Sequence, residues 1–200
     1  IVVSIISCLW IFLIAITLLT LQNSKANLIK IETLREREHY EKVLEDVSKK
    51  LETIKVFTET TGIENLNQDV FDDFALSTDF SDIGFVSFSI APNGIMAYYY
   101  SEEYEDDLVG RDLVNDDRDY VREAVAYAIE NDVVVINGPF ELLHGGEGLV
   151  FRRALYDEDG SFNAIINLVV NSERLNELFI ADQSEVVDVG VYQADHTMIF

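Results

Sequence analysis

The sequence predicts an α+β domain, an antiparallel sheet with flanking helices, carried behind a long N-terminal helix. Three observations predict it. Residues 62–200 alternate short β-like runs with amphipathic segments, residues 23–61 contain neither proline nor glycine, and residues 1–22 contain no charge. Two hundred residues give room for one ordinary domain plus an appendage.

The first 22 residues, IVVSIISCLWIFLIAITLLTLQ, are long enough to cross a ~30 Å hydrocarbon core at ~1.5 Å per residue, so 1–22 is expected to be a transmembrane helix. A signal peptide would have a shorter apolar core and a small-residue cleavage site. Because the chain opens on Ile1 rather than methionine, it is expected to be a segment of a longer protein. Residues 23–61 are rich in Glu, Lys, Arg and Leu and form the expected stalk. Tyr40, Leu44, Val47, Leu51 and Ile54 follow the spacing of a coiled-coil seam or of a helix docked on a partner, and Gly62 is the expected stop.

Residues 62–200 form the expected domain. Val70, Phe71 and Phe74 share a helical face in 67–75. Strands over 83–91 and 95–100 flank the turn Pro92-Asn93-Gly94. A helix over 116–132 buries Val121, Ala124, Val125, Ala128 and Ile129. A hairpin joins 149–156 to 162–170, followed by a helix at 172–180, a strand at 186–193 and the start of another. This order is that of a PAS-like or Cache-like sensor.

Charge is unevenly spread. Residues 56–200 hold 30 acids, 6 arginines and no lysine, within a whole-chain net charge of -23. Such a surface repels phosphate backbones, so nucleic acid is not an expected partner. One cysteine, Cys8, excludes an intrachain disulfide.

The chemistry-bearing motifs are incomplete. His144-Gly145-Gly146 resembles an esterase oxyanion loop, but no G-x-S-x-G elbow exists. The run from Asp157 lacks the glycine and closing glutamate of a calcium loop. Gly145, Gly146 and Gly148 lack the Lys-Ser/Thr of a phosphate loop, and His39, His144 and His196 are far apart in sequence. Neither a catalytic set nor a transition-metal site or cofactor is expected in this segment; a magnesium or calcium ion held by carboxylates from separate loops stays open at this point. Adjacent strand residues face opposite sides, so one of Arg152 and Arg153 must face the helix-covered side of the sheet. A buried guanidinium requires an anion, either an internal carboxylate or a ligand. The Tyr98–Tyr100 run divides likewise between core and a stacking wall.

Taken in order, Pro92-x-Gly94, Gly110-x-Asp112-Leu113, Gly138-Pro139 with Leu142, the glycines at 145–148, and Arg152 resemble the CHASE domain over 85–157. CHASE is an extracytoplasmic sensory module of histidine kinases and cyclase-type receptors. Ser101 and Ala154 stand where such domains often carry proline. The resemblance implies a PAS-like fold outside the membrane on a long helix. It also implies a parent with a cytoplasmic histidine kinase or a cyclic di-GMP-type cyclase or phosphodiesterase. The expected ligand residues are Phe88, Tyr98, Tyr100, Asp112, Leu142, Arg152 and Arg153, with Arg152 at the family position. The leading expectation is therefore a membrane-anchored, homodimeric small-molecule sensor with residues 23–200 extracytoplasmic. The alternative is a surface interaction or structural domain without a small-molecule ligand.

Overall fold

The computed structural model of the chain describes residues 2–81, 83–101, 108–142 and 146–180, without the side chains of residues 2–20 and some others in the helices. The side chains of the expected membrane run thus lie outside the described set, as do His144 and the expected strand at 186–193. Among the described residues no helix is long and apolar enough to cross a membrane. Helix α1 spans Val2–Thr61. Contacts divide the chain near residue 41, and the described part of the second unit begins at Lys42. In the first unit Leu21, Ile29, Ile31 and Leu34 are exposed.

In the second unit α1 ends where Gly62 turns to φ +77°, a left-handed conformation that glycine adopts without steric cost. Helix α2 (Gln68–Ser77) follows, its start fixed by Asn67, whose side chain accepts from the Val70 amide. Then come β1 (Phe85–Pro92), β2 (Tyr98–Ser101), α3 (Asp119–Asn131), β3 (Val135–Glu141), β4 (Glu147–Tyr156), β5 (Phe162–Asn171) and α4 (Ser172–Ile180). All strand pairs are antiparallel, in the order β2-β1-β5-β4-β3. The β1–β2 connection is the expected tight turn. Asn93 and Gly94 both take positive φ, and a Cβ at Gly94 would lie 2.3 Å from Val114 Cγ2.

Alternation along the strands separates two faces. On the first, Phe88 and Ile90 of β1 pair with Tyr100 and Tyr98 of β2. Phe71 and Phe80 stack around Phe88, with ring centroids 4.9 and 5.4 Å away. Phe57 of α1 stacks on Phe74 of α2 at 3.8 Å. Val47, Leu51 and Ile54 are fully buried within this single chain, whereas Leu44 is 37% exposed. Three expected seam positions are therefore spent on the domain's own core rather than left for a second helix. The 4-3 spacing marks an apolar stripe but does not say which surface covers it.

On the second face α3 buries Val121, Ala124, Val125 and Ala128, as expected. Val121 and Val125 pack with Ala91, Met96, Leu113, Ala154 and Ile165. The sequence reading placed no strand over 135–141, which holds Gly138-Pro139. The pair lies inside the strand, where pairing with β4 shifts between Asn137 and Phe140. Proline cannot donate to a ladder, so an irregularity is where a strand accommodates it.

Candidate functional site

The second face is packed by α3 over only part of its area. Beyond Ala154 and Ile165 the strands present Ser87 and Ser89 (β1), Tyr99 (β2), Asn167 and Val169 (β5), and Val150 and Arg152 (β4) to a cavity of about 160 Å³. Strand register accounts for this grouping, since Ser89 pairs with both Tyr99 and Asn167, and Asn167 with Arg152. Phe140 and Leu142 close one side, and Leu108, Arg111, Arg118 and Tyr120 complete the wall. Gly148 matters here through close approach, because a Cβ on it would stand 2.7 Å from Leu142 Cδ2.

Three of the six arginines in residues 56–200 line this one cavity: Arg111, Arg118 and Arg152. Arg118 is paired within the protein. Its Nε and Nη2 donate to the two oxygens of Asp116, each at 2.7 Å. The Asp116 carboxylate is buried, and the Arg118 hydrogen bonds hold its pKa down to about 2. The same pairing raises the Arg118 guanidinium above its ordinary range. Arg122 donates to the Asp116 carbonyl and to Asp119, fixing the segment that enters α3. Arg118 also sits 5.7 Å over the Tyr120 ring, which stacks on Phe140 at 4.5 Å.

Arg152 is different. The residue is 5% exposed, its Nη1 donates to Asn137 Oδ1 at 2.9 Å, and its buried Nε has no partner among the described residues. No described carboxylate forms an ion pair with it. Burial, then the like charge of Arg118, pushes its guanidinium down to about 10, which leaves it cationic at neutral pH. On the neighbouring strand Asn167 donates through Nδ2 to Ser89 Oγ at 3.0 Å, while its buried Oδ1 has no partner among the described residues. An unmatched cationic donor and an unmatched neutral acceptor thus share one face of the cavity.

The structure brings Leu142 and Arg152 together at this cavity and separates the other expected site residues from it. Phe88, Tyr98 and Tyr100 have the opposite strand parity and belong to the aromatic core. Tyr98 donates its hydroxyl to the Leu66 carbonyl at 2.6 Å, and Phe88 is fully buried. Tyr99, the middle tyrosine, is the one that lines the cavity. Arg153 lines a different cleft, with Ser48, Leu51 and Glu52 of α1, and lies 3.8 Å from Asp132. Asp112 closes its own turn, accepting from the amides of Val114 and Asn115 at 3.0 Å and from Asn115 Nδ2 at 2.8 Å. Those bonds, Asn115's first, lower its pKa. Among the described residues it does not pair with an arginine.

Sequence reading missed Arg118, Tyr120, Asn137, Asn167 and the two serines. A signal existed for the serines. In FVSFSIA, serine occupies 87 and 89 of an otherwise apolar strand, the mark of a face not covered by helix. Asn167 interrupts the apolar run AIINLVV in the same way. Arg118 and Tyr120 lie at the entry to α3, outside its apolar stripe.

No protein-family model matches the chain, and neither does any curated protein. Solved structures do. The chain is similar to an extracellular ligand binding receptor from Desulfohalobium retbaense, with TM-score 0.53 and 12% identity over 81% of this chain and 30% of that one. It is similar to the ligand binding domain of the Pseudomonas aeruginosa amino acid chemoreceptor PctC in complex with GABA, with TM-score 0.53 and 15% identity over 78% of this chain and 64% of that one. A third is the ligand-binding domain of the Campylobacter jejuni chemoreceptor Tlp3 in complex with L-norvaline, with TM-score 0.51 and 14% identity over 88% and 69%. The chain spans less than two thirds of the first two. Its five-stranded antiparallel sheet with flanking helices is the Cache-like fold found in such extracellular sensory domains.

Proposed function

We propose that this chain is the extracytoplasmic small-molecule sensing part of a transmembrane receptor, and that its ligand occupies the Arg152 cavity. One observation carries the reading. A guanidinium buried among the 30 acids of residues 56–200 lacks any described carboxylate partner, although its neighbour Arg118 has one. An uncompensated buried charge is costly, and an anionic ligand would offset that cost. The wall has the composition of a ligand site, with aromatic and aliphatic surface around a few polar groups. The fold shared with extracellular sensory domains supports the same reading.

In this proposal residues 1–22 anchor the receptor, and residues 23–200 lie outside the cytoplasm. The order of motifs from Pro92 to Arg152 supports a CHASE-type module, whose parent would carry a cytoplasmic histidine kinase or a cyclic di-GMP-type cyclase or phosphodiesterase. Alternate residues of β1 touch the cavity (Ser87, Ser89) and the aromatic core (Phe88, Ile90), so occupancy and core packing share one strand. A dimer would use surfaces other than Val47, Leu51 and Ile54. The test is thermal unfolding of the whole chain in detergent against a panel of several hundred metabolites. At least one should raise the midpoint, and Arg152→Met should remove that rise while circular dichroism stays unchanged. A panel without effect, or a shift that survives Arg152→Met, would overturn the assignment.

A further inference from the structure

We propose that the occupant of this cavity is a small hydroxycarboxylate carrying no ammonium group; this rests on the sensing reading above. The inference comes from what each buried polar atom still lacks. Among the described residues Arg152 Nε is a cationic donor without a partner, and Asn167 Oδ1 is a neutral acceptor without one. The two residues are register partners on neighbouring strands and face the same cavity. A carboxylate answers the first, and a hydroxyl on a neighbouring carbon answers the second by donating to Asn167.

Charge then separates this class from amino acids. Among the described lining residues there is one exposed carboxylate, Glu141. The buried carboxylate nearby, Asp116, has both oxygens on Arg118. Among the described residues an ammonium group in the cavity would therefore meet no free buried carboxylate, and it would lie beside the buried guanidinium of Arg152. Like charges in a desolvated site repel strongly, whereas a neutral hydroxyl does not. The volume of about 160 Å³ suits a short carbon chain, which Val150, Val169 and Leu142 would flank.

Isothermal titration of the whole chain in detergent with lactate, malate, propionate, alanine and inorganic phosphate tests this. Lactate or malate should bind. Propionate, which lacks the donor, should bind about tenfold more weakly. Alanine and phosphate should give no heat at the concentrations that saturate the hydroxy acid. Arg152→Met should abolish binding, Arg152→Lys should restore part of it, and Asn167→Leu should reduce lactate to the propionate level. Alanine binding as tightly as lactate, with Arg152→Met abolishing both, would overturn the ligand class while leaving the cavity as the site. Phosphate binding as well as lactate, or no heat from any of the five, would also overturn the class. Lactate binding that survives Arg152→Met would overturn both class and site.

Discussion

The two faces of the sheet are built from the same strands and carry opposite chemistry. One side of β1 presents Phe88 and Ile90 to a closed aromatic core. The other presents Ser87 and Ser89 to a cavity with a buried guanidinium. The first face is completed by helices of this chain, so its residues are explained by folding. The second is left partly open, and its polar atoms are only partly matched. Folding stability and function are thereby assigned to alternate residues of one strand, and substitutions one position apart should behave differently.

The largest effect should come from the closed face. Phe88→Ala removes a ring in contact with Phe71, Phe74, Phe80 and Tyr100, and should cost roughly 3–5 kcal/mol. Ser87→Ala, one residue away, should change stability by less than about 1 kcal/mol. Urea denaturation of the two variants beside the parent measures both. Similar losses at 87 and 88 would erase the distinction between the faces.

That distinction was only half legible in the sequence. Adjacent strand residues take opposite faces whatever the fold, so Arg152 and Arg153 were bound to separate, and they do. Which tyrosine of 98–100 joins Arg152 depends on registers passed from β4 through β5 and β1 to β2, and local sequence does not contain those registers. The outer two tyrosines were favoured, and the middle one lines the cavity. Asp112 drew attention by its motif, yet its side chain serves the turn next to it. The Asp116–Arg118 pair was overlooked because both residues fell inside the helix expected over 116–132, whereas α3 begins at Asp119.

The next effect in size is pH-dependent and concerns the wall of the open face. The folded-state pKa of Asp116 is about 2, below its ordinary 3.8, because Arg118 donates two hydrogen bonds to it. A depressed carboxylate contributes stability above its unfolded pKa and loses that contribution as pH falls through the folded value. Asp116→Asn should therefore cost roughly 2 kcal/mol at pH 5–7, and the cost should vanish between about pH 4 and pH 2. Urea midpoints of parent and variant across pH 2–7 follow this. A cost that stays constant down to pH 2 would mean that the carboxylate charge is not what Arg118 holds.

The smallest effects should come from the adjacent arginines, and they sharpen the comparison most. If Arg152 were held by an internal carboxylate, removing it would strand that anion and cost ~3–5 kcal/mol. Among the described residues the structure gives it Asn137 alone, at 2.9 Å, with Nε unmatched. Arg152→Met then loses one hydrogen bond while relieving an uncompensated buried charge, two terms of opposite sign. Its net effect on stability should lie within about 1 kcal/mol of zero. Arg153 belongs to the other face, where its 3.8 Å pairing with the largely exposed Asp132 is screened by water. Arg153→Met should cost no more than about 0.5 kcal/mol, and 0.5 M salt should remove most of that. Calorimetric unfolding at low and high salt reads both substitutions. A loss of 3 kcal/mol or more at Arg152 would place an internal anion beside it and make that arginine part of the scaffold rather than of an open site.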